Sequence, residues 1–293
     1  MEGTQRSFGE RYGPWAVVAG GSDGIGAAFG EALVRRGLGV VLIARSGSKL
    51  AAQAERLAAI VAEPNTAGGP ARAAARADRI RTLVADLTSP DIAAQVARAT
   101  EALDVGLFVY NAGSGREMGS FLDHEVDNWI RQVDLACRGP LLLAHHFGRR
   151  LRARGQGGIV LMSSLASLVG SAYIATYAAA KAFDTILGEG LWAELGPAGV
   201  DVVACLAGAT DTETFREDTG GSPEAMAPRE VATGTLDFLG RGPIYVPGAS
   251  NRASARAAWP VPRVAFIHAM SAINARNFAL DFEPRPGVEF GDA

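Results

Sequence analysis

Trp15-Ala16-Val17-Val18-Ala19-Gly20-Gly21-Ser22-Asp23-Gly24-Ile25-Gly26 is the stretch on which the fold turns. Its first five residues are apolar, and a glycine-rich turn carries them straight into an Ala/Leu-rich segment with helical spacing. A phosphate group needs close backbone approach, exposed N–H donors and the positive end of a helix dipole. Glycines between a strand and a helix supply all three. Near the start of a chain, such a turn reads as the opening of a dinucleotide-binding βαβ unit.

Outward from that unit, short β-branched runs alternate with long Ala/Leu-rich stretches. Strands are predicted at Trp15–Ala19, Gly39–Ala44, Ile80–Ala85, Val105–Tyr110, Gly158–Met162, Val200–Cys205 and Ile244–Val246. Helices are predicted over 25–36, 47–61, 89–102, 124–153, 174–196 and 228–239, with Gly37 capping the first. Near-continuous apolar strands separated by helices imply a parallel sheet buried on both faces. The expected fold is α/β: a doubly wound, Rossmann-type parallel sheet in a single domain. Its expected limits are 14–250, with an N-terminal extension (1–13) and a C-terminal extension (251–293) packing on the same domain or a partner subunit. Within that extension, Val264–Ile273 has the spacing of a short amphipathic helix. Glu63–Asp78, rich in Ala, Gly and Pro, reads as a surface insertion, and Ala207–Pro228 as a flexible loop able to act as a lid.

Bulk properties narrow the function. With 48% hydrophobic and 20% charged residues, the 293-residue chain can bury a large core. A net charge of -3 and a pI near 5.9 argue against a nucleic-acid partner. Arg149–Arg154 reads as a solvated helix end. Cys137 and Cys205 lie in apolar segments and read as buried thiols of a reducing compartment. His145 and His146 are adjacent and His124 and His268 isolated, so no metal site is expected. The first six residues have no apolar signal core, and Val40–Ala44 is too short to span a bilayer. A cytoplasmic protein without a membrane partner is expected.

Two further patterns carry chemistry. The second strand ends in Arg45-Ser46, where an NAD-binding fold wants a carboxylate for the ribose 2′-OH. A guanidinium fork and a hydroxyl suit a 2′-phosphate instead, so NADP(H) is expected. Tyr177 and Lys181 stand four apart on a helix and so share one face. Ser164 lies thirteen positions before Tyr177, at the end of the fifth strand. A tyrosine hydroxyl, with an unperturbed pKa of ~10, is a poor acid/base until a nearby ammonium favours the phenolate.

These residues together resemble the short-chain dehydrogenase/reductase family over about residues 14–215. Gly20-xxx-Gly24-Ile25-Gly26, with Ser22 inside it, resembles the family's glycine motif, and Ser164…Tyr177-xxx-Lys181 its reaction centre. The resemblance implies that Tyr177 exchanges the proton, that Lys181 lowers its pKa and binds the nicotinamide ribose, and that Ser164 orients the substrate oxygen. Asp86-Leu87 resembles the adenine-contacting pair and Asn111-Ala112-Gly113 the motif that lines the cofactor. Gly208, Thr210 and Thr212 resemble the turn that holds the nicotinamide amide. The sequence departs from the pattern at Ala19 (usually Thr), Ala207 (usually Pro) and Ala136. At this last position the family places an Asn that anchors a relay water. Asp134, two residues earlier, is expected to face elsewhere. The nearest likeness is to the 3-ketoacyl reductase and hydroxysteroid dehydrogenase branch. The implied activity is reduction of an apolar ketone or aldehyde, ketoacyl, steroid-like or polyketide-like, or the reverse alcohol oxidation, by a homodimer or homotetramer. The alternative is a non-catalytic NADPH-binding sensor or scaffold, which Ala136 would suit.

Overall fold

The computed structural model describes residues 7–63, 78–113 and 119–258. Seven strands form one sheet: β1 (Trp15–Ala19), β2 (Gly39–Ala44), β3 (Ile80–Val84), β4 (Val105–Tyr110), β5 (Gly157–Ser164), β6 (Val200–Ala207) and β7 (Ile244–Tyr245). Their order is β3-β2-β1-β4-β5-β6-β7 and every pairing is parallel. Among the described residues the α-helices are α1 (Phe8–Tyr12), α2 (Gly24–Arg35), α3 (Gly47–Ala62), α4 (Ile92–Thr100), α5 (Val126–Val133), α6 (Gly139–Arg154), α7 (Ala175–Leu195), α8 (Glu213–Thr219), α9 (Pro228–Phe238) and α10 (Ala249–Ala258).

Alternation along each strand divides the core into two layers. Val18, Val40 and Leu42 pack with Phe29, Leu33, Leu57 and Leu236 from α2, α3 and α9. Val17, Val41 and Ile43 face the other way, onto Ile92, Leu143, Phe147 and Trp192 from α4, α6 and α7. Both faces being covered is why the central strands read as unbroken apolar runs. The order reverses between β1 and β4, and ligands in such sheets bind in the crevice outside the strands' carboxyl ends at that point. The described residues contain no helix long and apolar enough to cross a membrane.

The expected strands all form, but β5 and β6 run on to Ser164 and Ala207, while β3 and β7 stop one residue early. The expected continuous helix over 124–153 is broken by a π-helical turn at Asp134–Arg138. The expected loop at Ala207–Pro228 contains α8, capped by Thr212. The arginine cluster corrects a second expectation. Arg150 donates to the Thr100 and Leu103 carbonyls, and Arg154 to the Gly13 carbonyl and Asp104, so these residues bind neighbouring loops instead of standing in solvent. At the N-terminus, Tyr12 is buried and donates to Asp201 at 2.6 Å, and Arg11 ion-pairs with the same carboxylate at 2.5 Å. The boundary expected at 250 falls inside α10. Most of Glu63–Asp78 and all of Trp259–Ala293, with Val264–Ile273 and His268, lie outside the described residues.

Candidate active site

A cleft of about 880 Å³ opens at the carboxyl ends of the strands. Gly20, Ser22, Gly24, Ile25, Arg45, Ser46, Asp86, Leu87, Asn111, Ala112, Gly113, Ser164, Tyr177, Lys181, Gly208, Thr210 and Thr212 all line it. Gly26 does not. A Cβ there would meet the Gly20 carbonyl and come within 2.8 Å of Asn111 Nδ2, so this glycine serves close packing of the turn.

The glycine turn is fixed by backbone bonds. Gly20, at φ 80°, donates to the Ile43 carbonyl at 2.8 Å, and Asn111 Nδ2 donates to the Gly20 carbonyl at 3.0 Å. Asp23 precedes α2 but makes no side-chain capping bond, so it does not occupy the N–H groups of the first turn. An anion fits this helix end. The Asp23 carboxylate instead pairs with Lys49 at 3.1 Å, and Lys49 also reaches Glu213 on α8 at 2.6 Å. Lys49 therefore ties α8 across the rim of the cleft. Arg45 is exposed at the end of β2. Partial burial opposes the charge of Asp86, but bonds from the Thr88 N–H and hydroxyl, with Arg45 and Arg131 nearby, hold its carboxyl below the usual range. The donor set of open helix N–H groups, Ser46 and Arg45 fits a phosphorylated dinucleotide.

Two adjacent serines end β5 and do different work. Ser163 is buried and bonds to the Lys181 carbonyl and the Thr185 hydroxyl, both at 2.7 Å. Ser164 points the other way, as strand geometry requires, and is half-buried on the cleft wall, where it accepts from the Ala166 N–H. Tyr177, also half-buried, lies one turn before Lys181 on α7. Lys181 is 3% exposed, and its ammonium donates to the Met162 carbonyl at 2.7 Å and to Asp184 Oδ2 at 3.1 Å. A Cβ at Gly113 would lie 3.0 Å from Lys181 Nζ and 3.2 Å from Ala136 Cβ, so Gly113 sits between the two.

Ala136 lies in the π-helical turn, and the cause of that turn is local. Residue 140 is proline and has no N–H to offer the carbonyl four residues back. The ladder shifts register there, and the Gly139 N–H reaches the Asp134 carbonyl. That leaves the Leu135 carbonyl to the Tyr110 hydroxyl, which donates to it at 2.5 Å. The same hydroxyl occupies the space a side chain at position 139 would need. Sequence reasoning missed Tyr110, Gly139, Lys49 and Asp184. Pro140 inside an apolar helix was the one available signal. Thr212, expected on the nicotinamide, spends its hydroxyl on the Phe215 N–H as the cap of α8, and Thr210 donates to the Gly208 carbonyl. Cys137 and Cys205 are free thiols; Cys205 is buried and Cys137 half-buried.

The sequence model of the short chain dehydrogenase family matches residues 14–221. A 7beta-hydroxysteroid dehydrogenase of Clostridium sardiniense is 30% identical over 250 residues, which are 84% of this chain and 90% of that protein. A solved 7beta-hydroxysteroid dehydrogenase superposes with a TM-score of 0.74 at 25% identity, covering 86% of this chain and 93% of its own. A short-chain dehydrogenase from Sphingobium yanoikuyae, solved in complex with NADPH, gives a TM-score of 0.70 at 27% identity, with 93% and 98% covered.

Proposed function

The chain belongs to the short-chain dehydrogenase/reductase family, whose members are nicotinamide-dependent oxidoreductases, and on that premise we propose that it is an NADP(H)-dependent reductase of apolar ketones or aldehydes, able to run the reverse alcohol oxidation. The observation that carries the reading is the convergence of Ser164, Tyr177 and Lys181 on the wall of the cleft that also holds the glycine turn and Arg45. The cofactor, when bound, supplies or accepts the hydride. The chain's own residues handle the proton and the orientation. Ser164 hydrogen-bonds the carbonyl oxygen and fixes its direction. The Tyr177 hydroxyl delivers its proton to the alkoxide oxygen as charge develops there, and the Lys181 ammonium stabilises the phenolate left behind. Arg45 and Ser46 hold the 2′-phosphate. An apolar substrate is supported by Val169 and Tyr173, exposed on the segment between Ser164 and Tyr177, and by the likeness to hydroxysteroid dehydrogenases.

We read the protein as a cytoplasmic homodimer or homotetramer. Val126, Ile130, Val133, Leu141 and Ile186 leave apolar surface on α5, α6 and α7, where a second copy can cover it. Tyr177→Phe tests the activity. It removes one hydroxyl, so NADPH oxidation against a panel of ketones should collapse while NADPH fluorescence still reports binding. Parent-level turnover in that variant would remove Tyr177 from proton transfer. Binding without turnover in the parent, across the whole panel, would favour the non-catalytic sensor that Ala136 suggests.

A further inference from the structure

Lys181 is held by more than its place in the Tyr-xxx-Lys pattern accounts for. An ammonium has three N–H donors. One goes to the Met162 carbonyl and one to Asp184 Oδ2, on the next turn of α7. Asp184 is 1% exposed, and its second oxygen, Oδ1, is buried with no hydrogen-bond partner. Burying a carboxylate is costly, and leaving half of it unsatisfied costs more. A position needed only for packing would be apolar, as Ala178 and Ala180 on the same helix are, or hydrogen-bonded, as the buried hydroxyl of Thr185 beside it is. The ionisable groups facing Asp184 are Lys181 from its own helix, Tyr110 from β4 and Cys137 from the π-helical turn. Ala136, in the same turn and also against Gly113, contributes only a methyl.

We propose that Asp184 is a positioning residue of the reaction centre, holding the Lys181 ammonium in the cleft wall. The proposal rests on the reading of Tyr177 and Lys181 as the acid–base pair. With two donors fixed on the protein, the third is left for the cleft, so the ammonium has one orientation toward a ribose hydroxyl. Burial pushes the Asp184 carboxyl up to about 6, against the pull of Lys181. The clamp is therefore an ion pair above that pH and weakens below it.

The test uses the full-length protein, with Asp184→Val and Asp184→Asn. In the cofactor-free parent, carboxyl ¹³C NMR should show one aspartate titrating around pH 6, and that signal should vanish in both variants. Asp184→Val should lose about tenfold in NADPH affinity, read by fluorescence, and about tenfold in kcat, the scale of one hydrogen bond to a charged group. Asp184→Asn keeps an oxygen acceptor of the same shape. It should recover part of both losses but not the parent's fall in kcat as pH drops through about 6. A folded Asp184→Val with parent affinity and parent kcat overturns the proposal. So does an Asp184→Asn enzyme that retains the parent's pH profile, which keeps the test decisive if the valine variant does not fold. Failure of the acid–base reading is separately visible as turnover surviving Tyr177→Phe, whereas the NMR titration and NADPH affinity are read without turnover.

Discussion

Arg45 is the residue by which cofactor choice is judged. Arg45→Ala should weaken NADPH by about 1.5–3 kcal/mol, the scale of a hydrogen bond to a charged group, and leave NADH nearly untouched. Fluorescence titration with both nucleotides checks this, and equal loss for both would sink the assignment. Ala136 is the second test at this scale. Ala136→Asn should leave turnover unchanged or higher, because it adds the side-chain water anchor. It should cost about 1–3 kcal/mol in stability, since Ala136 is 1% exposed and packed against Gly113. Abolished turnover in a folded, NADPH-binding Ala136→Asn protein would mean that the small side chain is itself required. The residues legible from sequence share one property: their meaning lies in local spacing. Tyr177 and Lys181 declare themselves by sitting one helical turn apart, and the glycine turn by following a strand. Asp184 is just as close to Lys181 along the chain, yet an aspartate on a helix ordinarily signals a solvated face. Only the layers packed over α7 reveal it as buried. Lys49 is opaque for the opposite reason, since Glu213 is 164 positions away.

Among the elements, the π-helical turn is the most informative. Its register depends on Pro140, which withholds a donor, on Tyr110, which answers the Leu135 carbonyl, and on Gly139, which leaves room for that hydroxyl. Gly139→Ala should therefore expel the Tyr110 hydroxyl and lower stability by about 1–3 kcal/mol through the loss of its bond to the half-buried Leu135 carbonyl. Thermal melts check this, and a melting temperature matching the parent's would show that the turn does not need the small residue. Helix α8 gives the second test. It is tied to the glycine turn by exposed pairs through Lys49, and such pairs are worth roughly 0.2–1 kcal/mol. Lys49→Met should speed NADPH release by up to about fivefold, seen by stopped-flow fluorescence, with melting almost unchanged. The strands and long helices were readable because burial on both faces imposes a composition on them. The short helices were not. Helix α8 is seven residues and α1 five, too brief for an amphipathic period to stand out from a loop.

For the whole molecule, stability should follow pH through Asp184. Its carboxyl rises from 3.8 to about 6 on folding. The unfolded chain gives up that proton first, so the group's favourable contribution is complete below about pH 4 and lost as pH climbs through 6. Asp184→Asn should gain melting temperature relative to the parent between pH 4 and 7, and parallel curves would contradict this. At the opposite end of the sheet from the cleft, Asp201→Ala should cost about 1–3 kcal/mol by removing the charged acceptor of the buried Tyr12 hydroxyl, which also reaches the Leu239 carbonyl at 3.4 Å, and by releasing Arg11. The cleft, in turn, draws its lining from Gly20 through Thr219 and so exists only when the complete sheet is assembled. A nucleotide that recognises this rim recognises the native state alone. At a hundred times its dissociation constant it adds about 2.7 kcal/mol to the folding equilibrium. With the nucleotide bound as proposed, abundance in a cell should follow nucleotide supply. When the pool runs low, more chains should stand open to proteases, and the level of the protein should fall with that of its nucleotide.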